Sequence, residues 1–554
     1  MPRPLYRRTP LWELENVGSP RSRAERPGWR DAASSKGRRR WAPRTVLVLA
    51  SAILLVSGPG GWSLPAQPAT SLAEEIEQLI RQPQWETVWW GVHIVSLKDG
   101  SVLFSSNAHK GFVPASNMKL LVGAAALDAF GATFRFETPV YGEGIVDKQG
   151  RLLGDLVLSG CGDPNLEGRL YEAEQEDLKQ QDIPRVMVQI AAQLAERGLK
   201  SVVGDLVADE TLFLHEPHDS SWTMENVLWS YGAPVSSLAA AENWFQLEVL
   251  PGEAEGSAAL VRPTPVEAGF VLVNQVKTIG RLREAWMGID RPYGADRVML
   301  RGEIPLEHAG LSYNLAVRDA GIFAAQLLKS ALAQRGISVM GSVRARQLSA
   351  LDAMEEGKFS LDAARRLQTV YRTERRLASV KTQPLPESLK IMMKTSQNLY
   401  AEMMLRNLGV AATGLGSAET GAAVLRKFLE KAGAPAHGMS LNDGSGLSRK
   451  NLVTPESVVR VLQYMDRHPH REVFADLLPV AGRDGTLKHR MKKGPAFGRI
   501  SAKTGAVEFV NALSGYAISG SGERLAFSIM VNNATGASRE VREAIDKVCE
   551  WMTR

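Results

Sequence analysis

Cysteine is nearly missing from this chain: two residues in 554, Cys161 and Cys549. Two thiols so far apart exclude a disulfide framework. They either pair across domains in an oxidising compartment or sit as separate buried thiols. Zinc-ligand spacing, a Walker loop and a Gly-x-Gly-x-x-Gly dinucleotide fingerprint are also missing, so the sequence implies no cofactor and no metal. A basic face is lacking as well. The net charge is +6, but residues 1–44 hold 12 Lys/Arg against 4 Asp/Glu, which leaves the remainder near −2. That body carries no electrostatic footprint for nucleic acid. A long apolar run is lacking too. Val46 to Val56 is uncharged over 11 residues, too few to span a bilayer comfortably.

What is present is ordinary globular composition, 44% apolar and 23% charged, over a length that one core cannot fill. Residues 1–69 form a basic N-terminal region. Their 46–56 stretch has the length of a signal-peptide h-region, and Ser63, Ala66 and Ala69 follow Gly58–Gly61 as small residues suited to cleavage. The reading is export to the periplasm or cell envelope. Membrane contact is expected only through this segment, if it stays uncleaved as an anchor.

Periodicity organises the rest. A short helix is expected over 71–82. A hairpin follows, with Val88 to Leu97 turning at Lys98-Asp99-Gly100 into Ser101 to Phe104. A helix starting at Pro114–Ser116 runs to about Gly131. From 138 to 315 short strand-like runs dominate, broken by one helix near 183–197. Two Gly-Asp-Leu-Val segments, at 154–157 and 204–207, suggest a weak internal repeat. Helical patterns cover 314–336, 354–375 and 389–408. The end reads as a strand into Lys503-Thr504-Gly505, a hairpin over 511–532 and a closing helix over 540–552. The expectation is that both termini meet in one sheet.

Three short motifs occur in order. In Ser116-x-x-Lys119 a hydroxyl and an amine share a helix face at the positive end of its dipole, beside Leu120, Leu121 and Val122. A desolvated lysine can act as a base, and a base beside a hydroxyl makes a nucleophile. Ser396-x-Asn398 and Lys503-Thr504-Gly505 follow. Alone, the second reads equally as a helix cap and the third as a plain strand-turn. Together and in order they carry far more.

The triple resembles that of the penicillin-binding proteins. More closely, residues 70–554 are similar to the D-alanyl-D-alanine carboxypeptidase/endopeptidase family typified by low-molecular-mass class C penicillin-binding proteins (peptidase family S13). The gap of 280 residues from Ser116 to Ser396, then only 107 to Lys503, matches that family's large insertion between its first two motifs. Asn398–Arg406, Asp443–Arg449, Gly162-Asp163-Pro164 and Tyr231-Gly232-Ala233-Pro234 read like its signatures.

The resemblance implies a serine transpeptidase/β-lactamase-like α+β core, an antiparallel sheet flanked by helices, from 70–137 and 316–554. A β-rich insertion fills 138–315. It implies that Ser116 attacks the carbonyl between two D-alanines while Lys119 takes its proton. Ser396 relays a proton to the leaving amine, and Asn398 holds Lys119 and the substrate amide. Lys503 and Thr504 bind the terminal carboxylate. Gly505 lets substrate lie close to the strand, and the backbone N–H groups of Ser116 and Ala506 form the oxyanion hole. Arg449 and Glu508 would lie near the diamino-acid pocket of the stem peptide, with Glu225 as the insertion's acid. Implied partners are peptidoglycan stem peptides, with β-lactams as inhibitors. A serine β-lactamase or esterase on the same core is the enzymatic alternative. A non-catalytic peptidoglycan-binding scaffold is the other.

Overall fold

The computed structural model describes residues 71–171, 183–281, 283–292, 294–435, 437–536 and 538–554. The basic stretch and the 46–56 segment lie outside the described residues. Among the described residues no helix is long and apolar enough to cross a membrane.

The described residues, from 71 to 554, form one compact unit. Its first element is a five-stranded antiparallel sheet, in the order Ile500–Val507, Val510–Ile518, Arg524–Asn532, Trp89–Ser96, Val102–Ser106. The N-terminal hairpin thus extends the C-terminal one, and the chain ends meet as expected. Period-two alternation supplies two apolar faces. Val92, Ile94, Leu513, Phe527, Ile529 and Val531 face one core. That core is closed by the helices Leu72–Ile80 and Ser538–Met552, whose Val541, Ala544, Ile545, Val548, Cys549 and Met552 recur at helical spacing. Val95, Ala512, Tyr516, Ala526 and Met530 face the other core. It is filled by helix Met118–Phe130, which is buried on all sides from Met118 to Leu127, and by helices Leu385–Lys394, Asn398–Thr413, Ala418–Lys431 and Pro455–Asp466.

The insertion has its own core and differs from the expected boundary. Its largest sheet holds strands Glu137–Val146, Arg151–Ser159, Ser201–Val202 and Leu206–Asp209, but also Ser338–Val339, Val343–Arg346 and Arg376–Lys381. Phe323, Leu327 and Leu328 of helix Ala320–Gln334, with Ala378 and Val380, pack into it. Residues 317–346 and 376–381 therefore belong by packing and pairing to the insertion, not to the second half of the transpeptidase-like core. The pairings that draw them in are non-local, between strands more than 100 residues apart.

The two Gly-Asp-Leu-Val segments lie side by side in parallel, Leu156 beside Leu206 and Val157 beside Val207. Arg344 ties them, bonding Asp205 at 2.9 Å and Asp155 at 2.6 Å. Two smaller sheets, 244–250/260–264/311–316 and 271–279/286–290/297–305, complete the insertion.

Three helical expectations change. The 314–336 pattern divides into strand Leu311–Ala316 and a helix capped by Asp319, which accepts from the Ile322 N–H. The 354–375 stretch is mostly not helical. A two-stranded hairpin turns at Gly357 (φ +75°), and only Leu361–Leu367 forms an α-helix. The 389–408 helix is broken at the second motif. Cys161 and Cys549 are free thiols.

Candidate active site

Ser116 lies in a single 3₁₀ turn, Ala115–Asn117, that runs into helix Met118–Phe130. Its Oγ is half-buried and accepts from Lys119 Nζ at 3.0 Å. Lys119 is fully buried, and its Nζ also reaches Asn398 Oδ1 at 2.7 Å and the Ser445 carbonyl at 2.8 Å. Burial lowers its pKa to about 7, against the opposing pull of the Asp443 and Glu402 charges. Near neutrality much of this amine is therefore a free base, 3.0 Å from a hydroxyl. The cause is burial of the whole site, more than the three neighbouring apolar residues.

The second motif sits in a break between two helices. Leu385–Lys394 ends as Thr395 Oγ1 turns back to the Ile391 carbonyl at 2.8 Å. Ser396 adopts φ +65°, which no helix continues. Gln397 then caps helix Asn398–Thr413, its Oε1 accepting from the Leu399 N–H at 2.8 Å. This kink aims Ser396 at one lysine and Asn398 at the other. Ser396 Oγ accepts from Lys503 Nζ at 2.8 Å. Asn398 also donates from Nδ2 to the Tyr231 carbonyl at 2.9 Å, so the insertion touches the motif.

Lys503 is on the edge strand Ile500–Val507. It is fully buried, and its pKa lies well below the ordinary lysine value, through burial first and the charge of Lys119 second. Its Nζ also donates to the Thr504 carbonyl at 2.9 Å. Thr504 Oγ1 donates to Thr486 Oγ1 at 2.8 Å. Gly505 also makes a close approach within the chain. A Cβ there would lie 2.8 Å from the Pro114 carbonyl and 3.3 Å from Ala115 Cβ. Its bareness thus lets the nucleophile turn close on the strand.

Arg449 and Glu508 meet at one end of this group. Arg449 is exposed and donates to the Glu508 carbonyl at 2.6 Å, while the Glu508 side chain is exposed. Glu225 is exposed, and among the described residues no hydrogen bond or ion pair links it to the three motifs. It lies just after Trp222, whose Nε1 donates to Asp443 Oδ2 at 2.9 Å.

Sequence reasoning names Asn398–Arg406 and Asp443–Arg449 as signatures but gives no role to Glu402, Arg406 and Asp443, which hold the loop under Lys119. Glu402 is buried and accepts the Gly444 and Ser445 N–H groups at 3.0 and 2.8 Å. Its other oxygen pairs with Arg406, one helical turn on, at 3.1 Å. Burial, reinforced by Asp443 and opposed by Arg406, raises the Glu402 pKa to about 7. Asp443 accepts from the Gly446 N–H at 2.8 Å and the Ser448 N–H at 2.6 Å. Gly446 has φ +84°, and an added Cβ would come 1.8 Å from the Ala115 carbonyl. The available signal was the Glu402/Arg406 spacing inside an apolar helix.

A hydroxyl, a neutralised amine, a second hydroxyl held by a second buried lysine and an edge strand are the parts of a serine acyl-transfer site. Residues 72–552 match the D-Ala-D-Ala carboxypeptidase 3 (S13) family. The chain is 32% identical over 521 residues to a D-alanyl-D-alanine carboxypeptidase of Actinomadura sp. (strain R39), covering 92% of this chain and 90% of that one. It is 25% identical over 489 residues to D-alanyl-D-alanine carboxypeptidase DacB of Haemophilus influenzae, covering 87% and 92%. The fold matches a crystal structure of penicillin binding protein 4 from Haemophilus influenzae, with a TM-score of 0.70 at 23% identity over 86% of this chain and 97% of that one. With its three motifs assembled around two buried lysines, the chain belongs to the D-Ala-D-Ala carboxypeptidase 3 (S13) family.

Proposed function

We propose that this chain is a serine D-Ala-D-Ala carboxypeptidase that trims peptidoglycan stem peptides through an acyl-serine intermediate. The observation that carries the reading is the 3.0 Å contact between Ser116 Oγ and Lys119 Nζ in a buried site. As Ser116 Oγ bonds to the carbonyl carbon of the penultimate D-alanine, its proton passes to Lys119. The developing oxyanion meets the N–H groups of Ser116 and Ala506, donors whose loss typically costs about 100–1,000-fold in rate. Ser396 passes its proton to the leaving amine and regains the one that Lys119 took from Ser116, the C–N bond breaks, and the terminal D-alanine departs. Water then adds to the ester, its proton passes to the once more neutral Lys119 and on to Ser116 Oγ, and the C–O bond to Ser116 breaks.

Lys503, Thr504 and Thr486 would receive the terminal carboxylate, a charge-assisted contact. Arg449 and Glu508 would border the diamino-acid side chain. The same chemistry fits cleavage of cross-links as a DD-endopeptidase, since both bonds follow a D-alanine carbonyl. It also fits acylation by β-lactams. The Haemophilus influenzae protein has been crystallised with a β-lactam. Such a substrate lies outside the cytoplasmic membrane, in keeping with the h-region pattern at 46–56.

The test is release of the terminal alanine from an N-acylated tripeptide ending in D-Ala-D-Ala, beside the same peptide ending in D-Ala-L-Ala. Release from the first alone is expected. Release from neither would overturn the reading.

A further inference from the structure

Ala241, Glu242 and Asn243 are three consecutive non-glycine residues with positive φ, +47°, +52° and +56°. Each such residue costs on the order of 1–3 kcal/mol and persists only where its surroundings enforce it. The enforcement is visible. The Ala241 N–H donates to half-buried Glu167. Asn243 accepts from the Ala240 N–H at 3.2 Å and donates to the Pro234 carbonyl at 2.9 Å. The Val317 N–H returns to the Asn243 carbonyl at 3.0 Å.

The turn aims the Glu242 carboxylate out of the insertion and at the second motif. One oxygen pairs with Arg169 at 2.6 Å. The other accepts from Trp244 Nε1 at 3.2 Å and from Gln397 Nε2 at 2.6 Å. Gln397 is the middle residue of Ser396-x-Asn398. Its amide is divided between two tasks, Oε1 on the Leu399 N–H and Nε2 on Glu242.

We infer that Glu242 is a positioning residue for catalysis: by gripping Gln397 it holds the left-handed Ser396 turn so that Ser396 and Asn398 reach their two lysines. The inference rests on the acyl-serine reading above. It gives the insertion a part in the chemistry, because an element about 150 residues before the motif fixes the motif's shape. Glu242 touches no reacting atom and acts only through Gln397. Misplacement of reacting groups by about 1 Å can cost about 100-fold in rate.

The test uses Glu242→Ala, Glu242→Gln and Gln397→Asn in the chain with its insertion. Gln397→Asn keeps a good helix cap but is one methylene too short for Glu242, so it separates grip from cap. Acylation by benzylpenicillin is followed over a concentration series, with the active fraction fixed by end-point titration and Tm measured alongside. Glu242→Ala and Gln397→Asn should each slow the saturating first-order acylation rate roughly 10–100-fold. The half-saturating penicillin concentration should change little. Glu242→Gln, which keeps an acceptor for Gln397, should recover most of the rate. The Glu242→Ala/Gln397→Asn double variant should be no slower than the worse single one, as expected for two ends of one contact. Wild-type rates in the folded fraction with only Tm lowered, or losses that multiply in the double variant, would overturn the inference. Wild type that takes no acyl group would overturn the carboxypeptidase reading itself, a separate result.

Discussion

Lys119 and Lys503 are held by opposite ends of one three-residue turn: Asn398 Oδ1 takes the first at 2.7 Å and Ser396 Oγ the second at 2.8 Å. Two fully buried lysines so arranged cannot both carry charge cheaply. The site therefore works with at least one amine neutral near neutral pH, which is what a base requires.

The pH dependence follows. Lys119 must be unprotonated to accept the Ser116 proton, and its pKa lies at about 7. Acylation by penicillin should rise with pH through about 7. The Glu402 charge helps to keep the proton on Lys119. Glu402→Gln removes that pull and should move the rising limb to lower pH. Second-order acylation rates from pH 5 to 9 decide it, and a limb that moves upward contradicts the assignment.

Ser396→Ala should leave the Ser116–Lys119 pair intact yet slow acylation roughly 100–10,000-fold, the usual range for a lost proton-transfer group. Stopped-flow acylation with benzylpenicillin measures it. A loss below threefold would remove Ser396 from the proton path.

Gly446→Ala would press a Cβ to 1.8 Å from the Ala115 carbonyl, on the backbone turn that carries Ser116. At φ +84° the position is also strained for any other residue. The expected result is a loss of about 2–4 kcal/mol of stability, within the range for severe backbone conflicts. Acylation of the surviving folded fraction should slow as well. Denaturant unfolding and acylation together check it, and unchanged stability contradicts the close approach.

Thr486→Val removes the hydroxyl that meets Thr504 at 2.8 Å. If the pair receives the terminal carboxylate, KM for a D-Ala-D-Ala peptide should rise roughly 10–100-fold, one hydrogen bond to a charged group. The kcat should change less. Steady-state D-alanine release separates the two, and an unchanged KM removes Thr486 from the substrate.

How legible this was in the sequence depends on range. The strands Val510–Ile518 and Arg524–Asn532 and the closing helix announce themselves through local period, and each forms as read. Ser116, Lys119, Ser396, Asn398 and Lys503 stand in short motifs, and the fold hydrogen-bonds Lys119 to Ser116 and Asn398, and Lys503 to Ser396. The break at Ser396 was hidden, because Thr-Ser-Gln-Asn between two apolar helices carries no glycine or proline to announce a positive φ. Ala240-Ala241-Glu242-Asn243 conceals its left-handed turn in the same way, since its residues suit a helix. The Ser445 carbonyl that receives Lys119 is a backbone atom, and no side chain announces it. Membership of 376–381 in the insertion's sheet rests on pairing with 137–141, which local patterns do not encode.

The central claim is that Ser116 is the acylated nucleophile of a penicillin-binding carboxypeptidase. Its most direct test is the intact mass of the protein after incubation with benzylpenicillin, beside Ser116→Ala. The account predicts one penicilloyl adduct on the wild type and none on the variant. No adduct with rapid loss of the drug would contradict it in favour of a β-lactamase, and no adduct with no drug loss in favour of a non-catalytic scaffold.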